Sequence, residues 1–247
     1  SAQDVMGILA SASQEGKALL RLLLQVQKRD GSAMHQFNPL TMLANEGDAR
    51  EEEEAPQYYS DDHLWLVLAV AAYLKESGDM PFLEEAVDLY DLPERPRESA
   101  SVWEHLRRAL AFTRGDVGAH GLPLAGFADW NDTVNLRRGA ESLFTAHLYG
   151  KALREMIDLA RFLGDEEAAA GYEADYTQMK ERVNAHAWDG DWYVRYFDAQ
   201  GQPIGSQANN QGQIFSNAQS WPVIAGWAPP ERARMALQAV HDRLNTR

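Results

Sequence analysis

Residues 64–74 read LWLVLAVAAYL and form the longest strongly apolar run of the sequence. The run is apolar on most faces, so a helix here must be enclosed by neighbours on several sides. Ser60 precedes it as a capping residue and Gly78 follows it, which predicts a helix over Ser60–Lys75. The run is about half as long as a bilayer span needs, so we expect a buried helix and no membrane crossing.

Helical periodicity extends from this run toward both ends of the chain. The helix predicted over Glu141–Leu163 is apolar on most faces from Leu143 onward, whereas Glu166–Ala187 has one apolar stripe and should face solvent. Enclosed and amphipathic helices alternate in this way when they form an inner and an outer ring, so the expected fold is an all-α toroid of helical hairpins. Trp192–Phe197 is the only strand-like stretch; with the turn signal at 198–201, it predicts a small β-hairpin insertion. The other predicted helices are Gln3–Ser11, Ser13–Lys28, Ser99–Thr113, Ala218–Trp227 and Pro230–Leu244.

Composition and charge limit the classes of function. The 247 residues are 45% hydrophobic and are expected to form one domain. A formal net charge of −14 argues against nucleic acid or an anionic membrane as partner, and it suits neutral ligands in a cytoplasmic setting. The chain has no cysteine and no close pair of histidines, so no metal is expected. Nucleotide-binding and serine-hydrolase signatures are also missing from the sequence.

The sequence ADWND at residues 128–132 is the strongest candidate for chemistry. Sugar sites combine an aromatic face for the apolar side of a pyranose with carboxylates and amides for its hydroxyls. Trp130, Asn131 and Asp132 provide this mixture, and a carboxylic acid beside a Trp can act as a proton donor. The same residues are compatible with an Asx-turn around a buried Trp.

Two further polar clusters are candidates for ligand binding. Asp61 and Asp62 lie at the start of the predicted helix, where only one of them is needed as a cap. Residues 209–221 are dense in amides, which favours recognition of hydroxyl groups, although a polar loop has the same composition.

Four motifs in order resemble glycoside hydrolase family 94, which comprises cellobiose, cellodextrin, chitobiose and cellobionic acid phosphorylases. They are MHQFNPL at 34–40, YSDDHLW at 59–65, GLP at 121–123 with ADWND at 128–132, and GQIF at 212–215 with QSW at 219–221. The resemblance runs through nearly the whole chain and implies an (α/α)6 barrel, of which this chain would hold an incomplete part. The sequence begins without an initiator Met, and it stops at 245–247 directly after a helical pattern with no closing signal. We therefore expect a segment of a longer protein that is inactive alone.

The resemblance also implies the roles of individual residues. Asp132 would be the general acid, and Asp62 would hold hydroxyls of the sugar that Trp130 lines. Cellobiose-type members carry an Arg a few residues before the Ser-Asp-Asp run; here that position is Pro56, and Arg50 is the candidate replacement. The full set of expected substrate-binding residues is Arg50, Asp61, Asp62, Trp130, Trp192, Arg195 and Gln219.

The reaction that the resemblance implies is reversible, inverting phosphorolysis of a β-glucoside to α-glucose 1-phosphate and an acceptor sugar. Inorganic phosphate is the co-substrate, no cofactor is expected, and family members are commonly homodimers. The segments 45–59 and 131–136 are closer to the cellobionic acid branch than to cellobiose phosphorylases. Two alternatives stay open: an inverting hydrolase on the same toroid, with Glu141 as a candidate base, and a non-catalytic sugar-binding toroid.

Overall fold

The computed structural model describes residues 1–51, 56–90 and 98–245, except for the side chains at positions 50 and 51. The chain divides into two compact units, Ser1–Gly115 and Asp116–Arg247, and each buries its own apolar residues. Among the described residues, no helix combines the length and apolarity needed to cross a membrane.

The first unit is mainly helical, with two small antiparallel sheets. Phe37 pairs with Ala44 in one sheet, and Val87 pairs with Ala100 in the other. The elements are α1 (Ala2–Ile8), α2 (Ser13–Leu24), β1 (Gln36–Phe37), β2 (Ala44–Asn45), a 3-10 helix (Gly47–Glu51), α3 (Asp62–Ser77), a second 3-10 helix (Met80–Glu84), β3 (Ala86–Asp88), β4 (Ser99–Ser101) and α4 (Val102–Gly115).

Helix α3 is the enclosed helix that the apolar run predicts. Eleven of its 16 residues are buried, and α1, α2 and α4 pack against it. Gly78 ends the helix in the left-handed conformation, with φ of 68°, which glycine adopts without strain. The segment after α3 is tied to α2 by Lys17, whose ammonium lies 2.6 Å from carboxylate oxygens of both Asp79 and Glu85. The predicted buried helix and its C-terminus are therefore confirmed.

In its described residues, the second unit has four helices and one three-stranded antiparallel sheet in the order β5-β6-β7. The backbone N–H of Asp198 donates to the Gln202 carbonyl at 2.9 Å, which closes the turn between β6 and β7. The predicted hairpin is thus present at this point. The elements are β5 (Glu141–Ser142), α5 (Leu143–Phe162), α6 (Glu166–His186), β6 (Tyr196–Phe197), β7 (Pro203–Ile204), α7 (Asn217–Ile224) and α8 (Pro230–Leu244).

Helices α5 and α6 form a hairpin with contrasting faces. Fifteen of the 20 residues of α5 are buried, whereas α6 fully buries only Ala169, Met179 and Val183, as its single stripe predicts. The indole of Trp227 lies directly over Gly150 of α5, where an added Cβ would be 2.3 Å from Cζ3. The same indole donates from Nε1 to Nδ1 of the buried His147 at 3.0 Å.

The sequence predicts the helices more accurately than the strands. Each predicted helix is present, with ends shifted by a few residues. The expectation of a single strand-like stretch is wrong, because five strands lie outside the predicted hairpin. These strands contain two or three residues, too few to show a period of two. The all-α description is accordingly corrected to a helical fold with small antiparallel sheets.

Candidate active site

The candidate loop, residues 125–140, leaves and re-enters the sheet region of the second unit at one place. At its base, the Ala125 N–H donates to the Ala140 carbonyl at 2.8 Å, and the Ser142 N–H donates to the Pro123 carbonyl at 2.9 Å. Between these points the loop contains neither helix nor strand. Its conformation therefore depends on side-chain bonds to the elements around it.

Asp129 anchors this loop and is completely buried. The guanidinium of Arg195 contacts both carboxylate oxygens, with Nη1 2.6 Å from Oδ2 and Nη2 2.7 Å from Oδ1. The hydroxyl of Ser142 donates to Oδ2 at 2.5 Å, and that of Tyr196 donates to Oδ1 at 3.0 Å. The Asn131 N–H donates to Oδ1 at 3.0 Å, which makes an Asx-turn. The carboxylate of Asp129 is thus bonded on every side.

Trp130 and Asp132 project from the anchored loop. Trp130 is 51% exposed, its ring centroid lies 5.9 Å from that of Phe144, and Asp132 is also exposed. The Asx-turn interpretation is correct for Asp129, but the buried Trp that accompanied it is wrong. The loop therefore exposes an aromatic face and a carboxylic acid that are two residues apart in sequence.

Glu141, the candidate base of a hydrolase, is 1% exposed. Its Oε1 accepts from the backbone N–H groups of His120 at 2.9 Å and Leu122 at 3.1 Å, and its Oε2 lies 2.5 Å from Nδ1 of His120. An added Cβ on Gly118 would be 2.5 Å from the Glu141 side chain. This carboxylate fixes the loop before residue 125, and both of its oxygens are bonded within the second unit.

Trp192, Arg195 and Gln219 are buried, and each is bonded within the second unit. The Trp192 indole donates to the carbonyls of Gly205 and Gln213, both at 2.9 Å. The side-chain oxygen Oε1 of Gln219 accepts from the Tyr193 N–H at 2.8 Å, and its side-chain Nε2 donates to the Tyr193 backbone carbonyl at 2.7 Å. In this structure these side chains hold the segment around β6 in place.

Trp192 also borders an open cleft of about 570 Å³ beside α8. The guanidinium of Arg243 lies 4.4 Å from the Trp192 ring, and Arg234, Asp191 and Asp242 line the same cleft. Charges of both signs meet there.

In the first unit, Asp61 and Asp62 have different surroundings. Asp61 is buried at the N-cap position of α3, and its Oδ2 accepts from the Trp65 indole at 2.8 Å. Asp62 is partly exposed, and its Oδ2 lies 3.0 Å from Nδ1 of His35. The His35 ring stacks on Tyr59 with centroids 3.6 Å apart and planes within 10°. Asp61 therefore has a structural contact, whereas Asp62 reaches the surface.

His35 is a residue that sequence reasoning did not select as part of a site, although it lies in the MHQFNPL motif. His35 and Asp62 are 27 residues apart in sequence, so no local sequence pattern predicts their contact. The side chain of Arg50 lies outside the described part of the structure. Within the described ranges, no group of three or more His, Asp or Glu side chains has the arrangement of a metal site.

The buried histidine behind Asp62 is neutral. His63 is fully buried, and its Nε2 lies 2.7 Å from the Thr113 hydroxyl. Burial lowers the pKa of His63 to about 3. The imidazole is therefore uncharged near neutral pH, so His63 supports the start of α3 and supplies no cation to a ligand.

Comparison with known proteins decides the family. A model of the glycosyl hydrolase 94 superfamily catalytic domain matches residues 1–247. The chain belongs to glycoside hydrolase family 94. Solabiose phosphorylase of Paenibacillus borealis is 36% identical over 99% of this family 94 chain and 30% of its own length. N,N'-diacetylchitobiose phosphorylase of Vibrio proteolyticus is 30% identical over 99% of the chain and 32% of its length.

A cellobionic acid phosphorylase of Neurospora crassa is also similar, with 26% identity over 76% of the chain and 24% of its own length. The family 94 chain spans about a third of the length of the curated relatives it matches. The resemblance that the four motifs indicated is therefore confirmed at the level of the family.

Solved structures support the fold. A rhamnosidase from Klebsiella oxytoca superposes with a TM-score of 0.63 at 18% identity, covering 92% of this family 94 chain and 38% of the rhamnosidase. A family 78 rhamnosidase from Bacillus sp. GL1 gives a TM-score of 0.58 at 19% identity, covering 75% and 17%. At these identities the likeness concerns the arrangement of helices and sheets.

Proposed function

We propose that the chain carries the general acid of an inverting phosphorylase, which cleaves a β-glucoside reversibly to α-glucose 1-phosphate and an acceptor sugar. The observation that carries this proposal is the anchored loop: Asp129 is buried and fully bonded, while Asp132, three residues later, is exposed beside an exposed Trp130. The family match over residues 1–247 and the phosphorylase names of the relatives support the reaction class.

The proposed chemistry requires one protein carboxylic acid. Asp132 gives its proton to the oxygen that leaves with the acceptor sugar. An oxygen of inorganic phosphate attacks the anomeric carbon from the opposite face, so the carbon–oxygen bond to the acceptor breaks as the bond to phosphate forms. An inverting hydrolase would need a second carboxylate for water, and Glu141 is enclosed by its bonds to His120 and Leu122.

We also propose a helical toroid of the (α/α)6 type, as the family resemblance implies, with sugar contacts at residues that the family motifs identify. The half-exposed indole of Trp130 would cover the apolar face of a pyranose. Asp62, oriented by His35, would accept from sugar hydroxyls, with Arg50 nearby in sequence. We assign no direct sugar contact to Asp61, Trp192, Arg195 and Gln219, because each is buried and bonded within its own unit.

For the substrate we propose cellobionic acid or cellobiose, from the similarity of segments 45–59 and 131–136 to the cellobionic acid branch. By their names, the relatives act on several different disaccharides, so the acceptor sugar must be identified by assay.

The test is an assay of glucose 1-phosphate and free glucose from a panel of β-linked disaccharides, with and without phosphate, in the complete polypeptide. We expect glucose 1-phosphate only when phosphate is present, and cellobionic acid or cellobiose as the best substrate. Asp132→Asn should abolish the product, whereas Asp158→Asn, an exposed acid on α5, should not change the rate. Release of glucose without phosphate would contradict the proposal.

A further inference from the structure

The buried pair of Asp129 and Arg195 joins the candidate loop to the sheet of the second unit. The two residues are 66 positions apart in sequence, and both are nearly inaccessible to solvent. Arg195 directly precedes β6, Tyr196 begins β6, and Ser142 ends β5. Three donors from two neighbouring strands and their flank thus converge on one carboxylate. Such a bidentate Arg–carboxylate contact fixes direction as well as distance.

A buried ion pair of this kind is a weak source of stability. Removing two charges from water is costly, and well-packed apolar residues often stabilise a core as much. In some proteins, buried polar or ionic groups instead specify one conformation. The loop from 125 to 140 has no helix or strand of its own, so its conformation depends on such contacts.

The guanidinium of Arg195 is itself held between aromatic rings. It lies 4.0 Å from the Tyr196 ring centroid and 5.5 Å from that of Phe144. The Phe144 ring also lies against the exposed Trp130, with 5.9 Å between the ring centroids. The pair therefore connects, through Phe144, to the aromatic face beside Asp132 as well as to the loop backbone.

The Ser142 hydroxyl extends this connection to helix α5. It donates to Asp129 and at the same time accepts from the Thr145 N–H at 3.1 Å, which caps the helix. The loop, the sheet and the N-terminus of the buried helix α5 are fixed together at this hydroxyl. A displacement of Asp129 would thus move the loop relative to its rigid support.

We propose that Asp129 and Arg195 are positioning residues for the general acid: they hold the loop so that the Asp132 carboxyl meets the leaving oxygen. This inference rests on the proposed function, because it assigns a consequence to the acid role of Asp132. It gives Arg195 a role through Asp129, in place of direct contact with the sugar.

The test compares two substrates whose leaving groups need the acid to different extents. Cleavage of a disaccharide releases the acceptor sugar through a poorly acidic hydroxyl group, which must be protonated as it leaves. Cleavage of a dinitrophenyl β-glucoside releases a phenolate that needs little protonation. We measure kcat and KM for phosphorolysis of each by wild type, Asp132→Asn, Asp129→Asn and Arg195→Lys. Glu155→Gln, a buried acid paired with Lys151 on α5, is the matched control.

A misplaced acid should slow only the reaction that depends on it. We expect Asp129→Asn to lower kcat on the disaccharide about 100-fold, the effect of displacing a catalytic group by about 1 Å, with KM little changed. The rate on the aryl glucoside should fall less than tenfold. Arg195→Lys, which keeps the charge but loses the planar fork, should show the same selective loss to a smaller extent. Glu155→Gln should reduce neither rate selectively.

The outcomes separate the two proposals. If Asp132→Asn shows no selective loss on the disaccharide, the acid role itself is wrong. If Asp132→Asn shows that loss but Asp129→Asn reduces both rates equally, or neither, the positioning role is wrong. Should Asp129→Asn and Arg195→Lys fail to fold, Tyr196→Phe removes a single bond to Asp129, and an unchanged ratio of the two rates would then overturn the inference.

Discussion

The packing of Trp227 on α5 gives the sharpest prediction for stability. Gly150→Ala would place a Cβ 2.3 Å from Cζ3 and 2.4 Å from Cη2 of the indole. Alanine is favoured over glycine in a helix by about 1 kcal/mol. That gain is opposed by overpacking, at about 1–3 kcal/mol. It is opposed again by the loss of the buried bond to His147, at about 1–3 kcal/mol.

The expected net result is a loss of about 3 kcal/mol in the free energy of unfolding, because two unfavourable contributions oppose one favourable one. Gly171→Ala on α6 is the matched control, since nothing lies within 4 Å of its added Cβ. It should stabilise the protein by about 1 kcal/mol. Urea unfolding of both variants measures the difference. If Gly150→Ala were as stable as Gly171→Ala, the indole could not lie against α5 as described.

Three other changes have outcomes that follow from the structure. Lys17→Met should destabilise the first unit by about 2 kcal/mol, because it removes the ammonium that Asp79 and Glu85 share and leaves Glu85 with Arg21. Arg107→Met at an exposed pair should cost less than about 0.5 kcal/mol, and equal urea midpoints of the two variants would contradict this expectation. Burial lowers the pKa of His63 and of His147 to about 3 in the folded state, so unfolding releases groups that bind protons below pH 6.5, and stability should fall as the pH drops from 6.5 toward 3. At pH 5 each histidine should lower the free energy of unfolding by about 2 kcal/mol. His63→Gln should therefore reduce the dependence of that free energy on pH. If denaturant titrations of this variant gave the same dependence on pH as wild type, the buried neutral ring would be refuted. Glu141→Gln should increase hydrogen exchange at the backbone amides of 120 and 122 without an equal increase in α5, because that carboxylate accepts from both amides.

The parts of the fold that depend on local hydrophobicity could be predicted from the sequence. The run at 64–74 identifies α3 because its residues are apolar on most faces, and Gly78 identifies its end because few other residues adopt a positive φ. The start of α8 follows from Pro229 and Pro230, since proline suits the first turn of a helix. Strands β1 to β4 could not be predicted, because two or three residues are too few to show a period of two. Strand β5 could not be predicted, because its partner β6 lies more than 50 residues away in sequence.

The candidate site was predictable in its chemistry but not in its geometry. The family motifs identify Asp132 and Trp130, yet nothing local shows that Asp129 is buried and Trp130 exposed. The sequence places Arg195 among the substrate-binding candidates, since no local pattern reveals its bond to Asp129, 66 residues away. The amide density around Gln219 was interpreted as recognition of hydroxyls, whereas its amide bonds to backbone. Amides serve both purposes equally well, so composition alone does not separate them.

The anomeric configuration of the first product tests the proposed reaction most directly. Proton NMR of a reaction with a β-linked disaccharide and phosphate should show α-glucose 1-phosphate from the first minutes, at a rate that Asp132→Asn abolishes and Asp158→Asn leaves unchanged. A β-configured sugar phosphate, or free glucose formed at the same rate without phosphate, would contradict an inverting phosphorylase with Asp132 as its acid.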